Sequence, residues 1–584
     1  MWGQVEISTK NATSDGMQKI NIVYPYENMS LPAVSRTFVF GSVFPSTGSF
    51  YLNGEKIVPY RTGGFLVYVP VSGDSFNASL FDGYSTYTYV RKVVIPSARQ
   101  EPKKDELFIN LISPSKSMEI MPGESFVFYA RATAGQHLKA DMENGEEVFF
   151  EETPVGSGNY YAVYRAREKD AGKSFSFSLK FKKGLFAHNS SLEPKISVKV
   201  LKSSYLLKTS TDSVILKNAI SGGYTMFLPK DIILQATGRL GGYYRIKAGD
   251  HILWLDDSKA SFYLPVPRRN DTETGNLVFS SSDNTVTARL AIYDRVPYLA
   301  YAQGKNFRLE FFNTDLHTNW VIYDSSDTYT KGATFRQESD GRVSFSFSFK
   351  EDIWGYDMGY STNSFLVSFK FKPKYSGKYP KPLEGVKIVL DPGHSPKRVP
   401  PFDGAIGPSG YFEYEANMAI ARKVCENLLA LGASVYMTRT ADEAVALVQR
   451  PLISKAFGGD LFISIHNNAI PDGEDPFSKP RGFQVYYYHP NSMPLAKSVH
   501  QAFLKNIRLP DEGLRYGDYH VIRQTYMPAI LVENAYMIFP EHEEMLRSEN
   551  GIREFSNSIT EGILDFLGIK KPVPAVKPQK KKGG

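Results

Sequence analysis

The sequence predicts several all-β sandwich or barrel modules followed by a C-terminal α/β domain, its mixed and mostly parallel sheet flanked by helices. Three observations lead there. At 584 residues the chain is too long for one core and has room for about four or five domains. Up to residue 375, period-two alternation dominates and turn residues recur at short intervals, with no convincing long helix. Phe175, Phe177, Leu179 and Phe181 alternate with polar residues, as do Val343, Phe345, Phe347 and Phe349, so each run lines one face of a sheet. From Val386 onward, short apolar strands are separated by helix-period segments.

Composition narrows the classes. The hydrophobic fraction of 42% is ample for folded cores. A single cysteine excludes an internal disulfide framework, and Cys425, beside Val424, Leu428 and Leu429 on one helix, reads as a core thiol. The net charge of +7 is modest and partly resides at the far C-terminus, where Lys570, Lys571, Lys577, Lys580, Lys581 and Lys582 alternate with Pro and Gly. Residues 569–584 read as a disordered Lys/Pro-rich tail, and no nucleic-acid partner is expected. No apolar run approaches the roughly 20 residues of a membrane span. Met1–Glu6 has neither a basic region nor an apolar core, so no signal peptide is expected in this sequence.

Turn signals divide the β-rich region into four modules. Residues 1–105 contain Phe38-Val39-Phe40-Gly41-Ser42-Val43, the hairpin signal Leu52-Asn53-Gly54 and Gly63-Gly64-Phe65, and resemble immunoglobulin-like sandwiches. Residues 106–202 place Pro122-Gly123-Glu124 and Gly158-Asn159-Tyr160-Tyr161 before strands, and a second immunoglobulin-like sandwich is expected. Residues 203–270, with Gly241-Gly242-Tyr243-Tyr244-Arg245-Ile246 and His251-Ile252-Leu253-Trp254-Leu255, resemble a small Src-homology-type β-barrel. Residues 271–375 end in Gly359-Tyr360 and the strand Phe365–Phe371, and resemble an AMIN-type β-sandwich. Residues 376–385 form a linker.

In the α/β domain, residues 386–568, strands are expected at Val386–Leu390, Val435–Thr438, Leu461–Ile465, Phe483–Tyr487 and Ala529–Val532. A helix is expected from about Glu413 to Leu431, with Met418, Ala421, Val424, Cys425 and Leu428 at helical spacing and Gly432 as its stop. Another opens at Pro494, and the last carries Ile552, Phe555, Ile559, Ile563 and Phe566 on one face. Three strands run into polar residues: Asp391-Pro392-Gly393-His394, His466-Asn467-Asn468 and Glu533-Asn534. Strand ends of an open α/β sheet meet in one crevice, and two histidines with a glutamate there suit a catalytic zinc with an exchangeable position.

The segments Leu390–His394, Gly404-Ala405-Ile406-Gly407, Thr438-Arg439, Phe462–Ala469 and Pro528–Glu533 match, in order, the zinc N-acetylmuramoyl-L-alanine amidases of the amidase-3 type. The resemblance covers about Val386–Leu567. It implies one zinc ion held by His394, Glu413 and His466, with Glu413 chosen over Glu415 by its offset from Asn417-Met418. It implies Glu533 as the catalytic glutamate, and hydrolysis of the amide between N-acetylmuramic acid and L-alanine of peptidoglycan by a zinc-bound water that this glutamate activates. Asp391 could orient a ligand histidine or cap the turn, and Asn468 could line the cleft. His489, His500, His520 and His542 match no ligand motif.

Two departures stand out. Where the family usually has glycine after the first histidine, Ser395 opens a Pro-rich stretch, Pro396–Phe402. Ala469–Pro480 reads as loop, so no helix is expected to plug the site. The resemblance further implies a monomeric, exported enzyme, periplasmic or associated with the cell wall. Its partner would be peptidoglycan, with division or wall-associated proteins reached through the β modules. Alternatives are a zinc peptidase or carboxypeptidase acting on the stem peptide, and a catalytically silent wall-binding protein.

Overall fold

The computed structural model describes residues 7–8, 18–95, 107–181, 189–190, 196–264, 272–338 and 341–570. Most of the expected tail, 571–584, lies outside the described residues. The chain divides into two compact units. One comprises Met1–Arg99, Asp352–Asp357 and Phe369–Gly584, the other Gln100–Glu351 and Met358–Ser368.

The second unit is built of strands, and its described helical residues are two three-residue 3-10 turns. Strands Ser125–Ala132 and Asn159–Arg165 pair antiparallel, and Leu138–Met142 pairs with Ser174–Phe181. Their inward side chains, among them Phe128, Tyr160, Phe177, Leu179 and Val198, share one core. Strands from Tyr205–Thr209 to Ala260–Phe262 close around Leu207, Leu216, Met226, Leu234 and Leu253. Glu119 pairs with Arg239, so one 13-stranded sheet runs across the boundary expected at 202. Strand Arg342–Phe349 buries Val343, Phe345, Phe347 and Phe349, the alternation read in the sequence.

The first unit holds the C-terminal α/β domain. Its elements are β1 (Lys387–Pro392), α1 (Glu413–Ala430), β2 (Ser434–Met437), α2 (Gln449–Phe457), β3 (Leu461–Asn468), β4 (Phe483–Tyr487), α3 (Met493–Asn506), β5 (Asp511–Tyr516), β6 (Ala529–Tyr536), α4 (Pro540–Arg547) and α5 (Glu549–Leu567). The sheet order is β2-β1-β3-β6-β4-β5. The pairs β1–β2, β1–β3, β3–β6 and β4–β5 are parallel, and β4–β6 is antiparallel. Strand β5, sequence DEGLRY, carries no apolar alternation and sits half-exposed at the edge, which is why the sequence pattern passes over it.

Pleating sends alternate residues to opposite faces. Ile388, Leu390, Ile463, Ile465, Ile530 and Val532 face a core shared with Ala416, Ile420, Val424 and Leu428 of α1 and with Phe555, Ile559 and Ile563 of α5. Val389, Phe462, Ala529 and Leu531 face a second cluster with Ile522 and Met527. Burial on both faces explains the near-continuous apolar runs of β1, β3 and β6. Cys425 is half-buried against the first core, and burial, then the charge of Glu426, raise its thiol pKa.

The N-terminal sandwich belongs to the same unit. Strands Ile20–Tyr24, Arg36–Val43 and Gly64–Pro70 form one sheet, and Ser49–Leu52, Glu55–Ile57, Ser75–Phe81 and Thr86–Val94 lie in the other. The hairpin at Asn53-Gly54 turns with φ of 50° and 83°, the double left-handed conformation that an Asn-Gly pair adopts readily. Ile20, Val39, Phe50, Leu52, Phe65 and Phe76 fill the sandwich core. Phe38 and Phe40 project the other way and are buried with Ile470, Tyr536, Ile538 and Phe539 of the α/β domain.

Candidate metal centre and active site

The site is assembled where β1, β3 and β6 end. His394 follows β1, His466 lies on β3, and Glu533 on β6 is the direct register partner of His466. Glu413 is the first residue of α1. One ligand atom from each of His394, Glu413 and His466 lies within 4.8 Å of the others, and among the described residues this is the one such group of three. His394 Nε2 is 3.1 Å from Glu413 Oε2, and His466 Nδ1 is 3.1 Å from Glu413 Oε1. The donor set is two imidazole nitrogens and one carboxylate, the composition that suits an open zinc site. The histidine side chains retain 27% and 16% of their exposure, so the centre is reachable from solvent.

Glu413 is buried, and its carboxylate is fixed on several sides. It accepts from the backbone N–H of Ala405 at 2.8 Å and of Asn467 at 3.1 Å, and from the Asn417 amide at 3.2 Å. Asn417, one helical turn on, shares the Glu413 face. Glu415 points elsewhere: it accepts from the Phe412 N–H at 3.0 Å and from Arg398 at 2.7 Å. Burial opposes the charge of Glu413, but His394 and then His466 beside it hold its carboxyl well below the usual range.

His394 adopts φ of 60°, a left-handed conformation uncommon for a residue with a Cβ. The surrounding loop is held by two buried arginines. Arg439 donates to Pro392 O at 3.0 Å, to Gly393 O at 3.2 Å and to Tyr414 O at 2.6 Å. Arg450 donates to Pro392 O and His394 O, each at 2.9 Å. Close packing leaves little room here: a Cβ on Gly393 would meet the His466 ring at 2.2 Å, and one on Gly404, which has φ of 91°, would meet the His394 ring at 2.7 Å.

The carboxylate on His394 Nδ1, at 2.8 Å, is Asp403, not Asp391. Asp391 lies on β1 in the sheet row of Ser464, one strand repeat (about 7 Å) below the row of His466 and Glu533. There it accepts from Thr438 at 2.5 Å, Ser464 at 2.7 Å and Arg450 at 2.7 Å. It therefore acts on the His394 loop only through Arg450. Asp403 was legible in principle, because it directly precedes the Gly404–Gly407 segment, but only loop closure brings it back to His394. Asn468 is half-buried at the end of β3, where its carbonyl accepts from the Met537 N–H at 3.1 Å. His489, His500 and His542 bond Arg523 O, Asp511 and the Tyr536 N–H, each outside the metal set.

Glu533 is 8% exposed, and its Oε2 is buried with no hydrogen-bond partner. Burial, then the negative charge of Glu413, push its carboxyl pKa well above the ordinary value. A buried acceptor left open beside a donor set is what a water at a metal centre would satisfy, so the residues present fit a zinc ion.

Residues 388–565 match the family described as N-acetylmuramoyl-L-alanine amidase. The probable cell wall amidase LytH of Staphylococcus aureus is 33% identical over 211 residues, 36% of this chain and 66% of that protein, just under two thirds of its length. The amidase AmiC2 of Nostoc punctiforme is 32% identical over 31% of this chain and 97% of its own, with a TM-score of 0.29. The catalytic domain of CwlV from Bacillus (Paenibacillus) polymyxa var. colistinus is 31% identical over 32% and 99%, also with a TM-score of 0.29. The family match falls within the α/β domain that carries His394, Glu413, His466 and Glu533.

Two tests of the candidate metal centre follow from its geometry. Replacing Asp403 with alanine removes the partner that fixes the His394 ring, and zinc affinity is expected to fall about 10- to 100-fold, the usual effect of an outer partner. Chelator competition measures it, and an unchanged affinity would show the bond to be dispensable. The second test concerns protons. Burial opposes charge on His394, but without a cation the Glu413 and Asp403 carboxylates outweigh it and raise the imidazolium pKa to about 10. Zinc takes only the neutral ring, so binding releases a proton and affinity should rise about tenfold per pH unit between roughly pH 7 and 9. Calorimetry in buffers of different ionisation enthalpy counts that proton; a count near zero would contradict the assignment.

Proposed function

We propose that the chain is an exported, zinc-dependent hydrolase that cleaves the amide between N-acetylmuramic acid and L-alanine in peptidoglycan. The observation that carries this reading is the convergence of His394, Glu413 and His466 within 4.8 Å, with Glu533 directly beside His466 in the sheet. His394, Glu413 and His466 would hold the zinc. When bound, it supplies Lewis acidity, polarising the scissile carbonyl and making water available as a nucleophile near neutral pH.

The chain's own residues do the rest. Glu533 takes the proton of the attacking water through the oxygen that has no other partner, then returns it to the departing L-alanine nitrogen. Burial and the neighbouring Glu413 charge raise its affinity for that proton above that of an ordinary carboxylate. Asp403 fixes His394, and Asn417 and the Ala405 and Asn467 amides fix Glu413. Ala469–Gly482 carries turns but no helix, so glycan and stem peptide can approach from the open side.

The family and its cell-wall relatives support a site of action outside the cytoplasm, and no described helix is long and apolar enough to cross a membrane. The β modules would place the enzyme in the wall, with the immunoglobulin-, Src-homology- and AMIN-type assignments as our reading of their sequences. Chelation should abolish peptidoglycan hydrolysis and added zinc should restore it; hydrolysis that persists in the fully chelated chain would refute the zinc centre.

A further inference from the structure

The N-terminal sandwich does not simply precede the amidase domain. It seats one sheet on the segments that leave the site residues. Ile470 and Asp472 lie four and six residues beyond His466, and Tyr536 to Phe539 follow Glu533 along the same strand and turn. Ile406 and Pro408 lie between Gly404, packed against His394, and Glu413. Each of these segments meets the sandwich.

Phe38 and Phe40 are each 2% exposed and share a cluster with Ile470, Tyr536, Ile538 and Phe539, joined by Tyr24, Leu66, Tyr68 and Ile406 at its border. Alternation along strand Arg36–Val43 makes the point sharply. Val39 and Val43 fill the sandwich's own core, whereas Phe38 and Phe40 are absent from that core and are covered by the amidase domain. Polar contacts pin the same surface. Tyr24 Oη donates to Asp472 at 2.7 Å, Tyr68 Oη donates to Gly473 O at 3.3 Å, and Tyr60 Oη donates to Glu544 at 2.9 Å. Arg61 Nε donates to the same Glu544 oxygen at 3.0 Å. A Cβ on Gly64 would lie 2.9 Å from Pro540, and one on Gly473 would lie 2.7 Å from Val34, so the two surfaces are in close contact. On the His394 side, Tyr26 meets Phe402 edge-on at 6.4 Å, and Phe402 in turn meets Phe412, the residue before Glu413, at 5.6 Å.

We propose that the N-terminal sandwich is a positioning element of the amidase centre: a clamp in cis that fixes the segments following His394, His466 and Glu533 and so holds the donor set and the catalytic glutamate in register. Phe402, the last residue of the Pro-rich stretch Pro396–Phe402 that departs from the family pattern, is where that stretch meets it. The inference rests on the amidase reading for its activity readout and stands apart from it in its metal readout. A displacement of about 1 Å at reacting groups can cost about 100-fold in rate without any contact to substrate being removed.

The test uses the full chain. Phe38→Ser with Phe40→Ser removes the apolar seat and leaves the sandwich core intact, and the Leu pair at the same positions is the conservative control. Amide hydrogen exchange over 470–473 and 536–544 should accelerate in the Ser pair. Zinc affinity by chelator competition should drop at least about tenfold, and kcat on a soluble muramyl peptide should drop about 10- to 100-fold with KM little changed. The Leu pair should restore both zinc affinity and kcat. Faster exchange with unchanged zinc affinity and kcat would overturn the clamp, and so would unchanged exchange. Should the Ser pair fail to fold, Tyr24→Phe with Arg61→Ala deletes polar pins without touching either core; smaller losses in the same direction are expected, and no loss in any readout overturns the proposal. Were the wild-type chain to bind zinc without releasing stem peptides, the amidase reading would fail, while the zinc and exchange readouts would still decide the clamp.

Discussion

Exchanging Glu533 for glutamine is expected to lower kcat on peptidoglycan by about 10²- to 10⁴-fold while zinc binding stays near that of the wild type. The side chain keeps its shape, and its neighbours Ile465, Val532 and His466 keep their packing, so the loss isolates the proton carrier. An amide cannot accept the proton of the attacking water through the position that Oε2 occupies. The same change bears on stability. Because burial and Glu413 raise the folded-state pKa of Glu533 above its unfolded value, its contribution is fully present below the unfolded pKa and is lost as pH rises through the folded one. Above the unfolded value the chelated wild type therefore carries a proton-linked cost that glutamine lacks, and the variant's thermal midpoint should be equal or higher. Substantial turnover in the variant, or loss of its zinc, would show that Glu533 plays another part.

A larger loss is expected from His466→Ala. It removes one of the three candidate donors, and Glu413 then keeps a buried charge beside a single imidazole. Zinc affinity should fall by more than about 100-fold, beyond the range for an outer partner such as Asp403, and hydrolysis should become undetectable. His394→Ala and Glu413→Ala should behave alike, whereas Glu415→Ala should retain zinc, because Glu415 caps α1 and pairs with Arg398. Metal content by mass spectrometry of the native chain separates these outcomes, and full zinc occupancy in His466→Ala would remove that residue from the centre.

Much of this fold is legible in the sequence. Apolar runs separated by helix-period segments located β1, β3, β4, β6, α1 and α5, because burial on both sheet faces and along one helix stripe writes itself into the sequence. The offset between Glu413 and Asn417 used in the sequence reading corresponds to a contact, since the Asn417 amide donates to the Glu413 carboxylate. What stayed hidden depends on closure in three dimensions. Asp391 and Asp403 are both acidic neighbours of His394 in sequence, yet only the fold of loop 395–403 brings one of them to the ring. Strand β5 and helices α2 and α4 are short and polar, so their pattern resembles loop. The run Phe38-Val39-Phe40 does announce a strand buried on both faces, but nothing in it names the second covering surface, which lies more than 400 residues away in Ile470 and Tyr536.

The central claim is that this centre cuts the bond joining the glycan to the stem peptide. Purified peptidoglycan digested by the zinc-loaded chain, followed by mass spectrometry of the soluble products, tests it most directly. The predicted result is free stem peptides with an intact N-terminal L-alanine, and glycan strands whose muramic acid carries a free carboxyl group. Shortened stem peptides still attached to glycan would contradict the claim and assign the same zinc set to a peptidase.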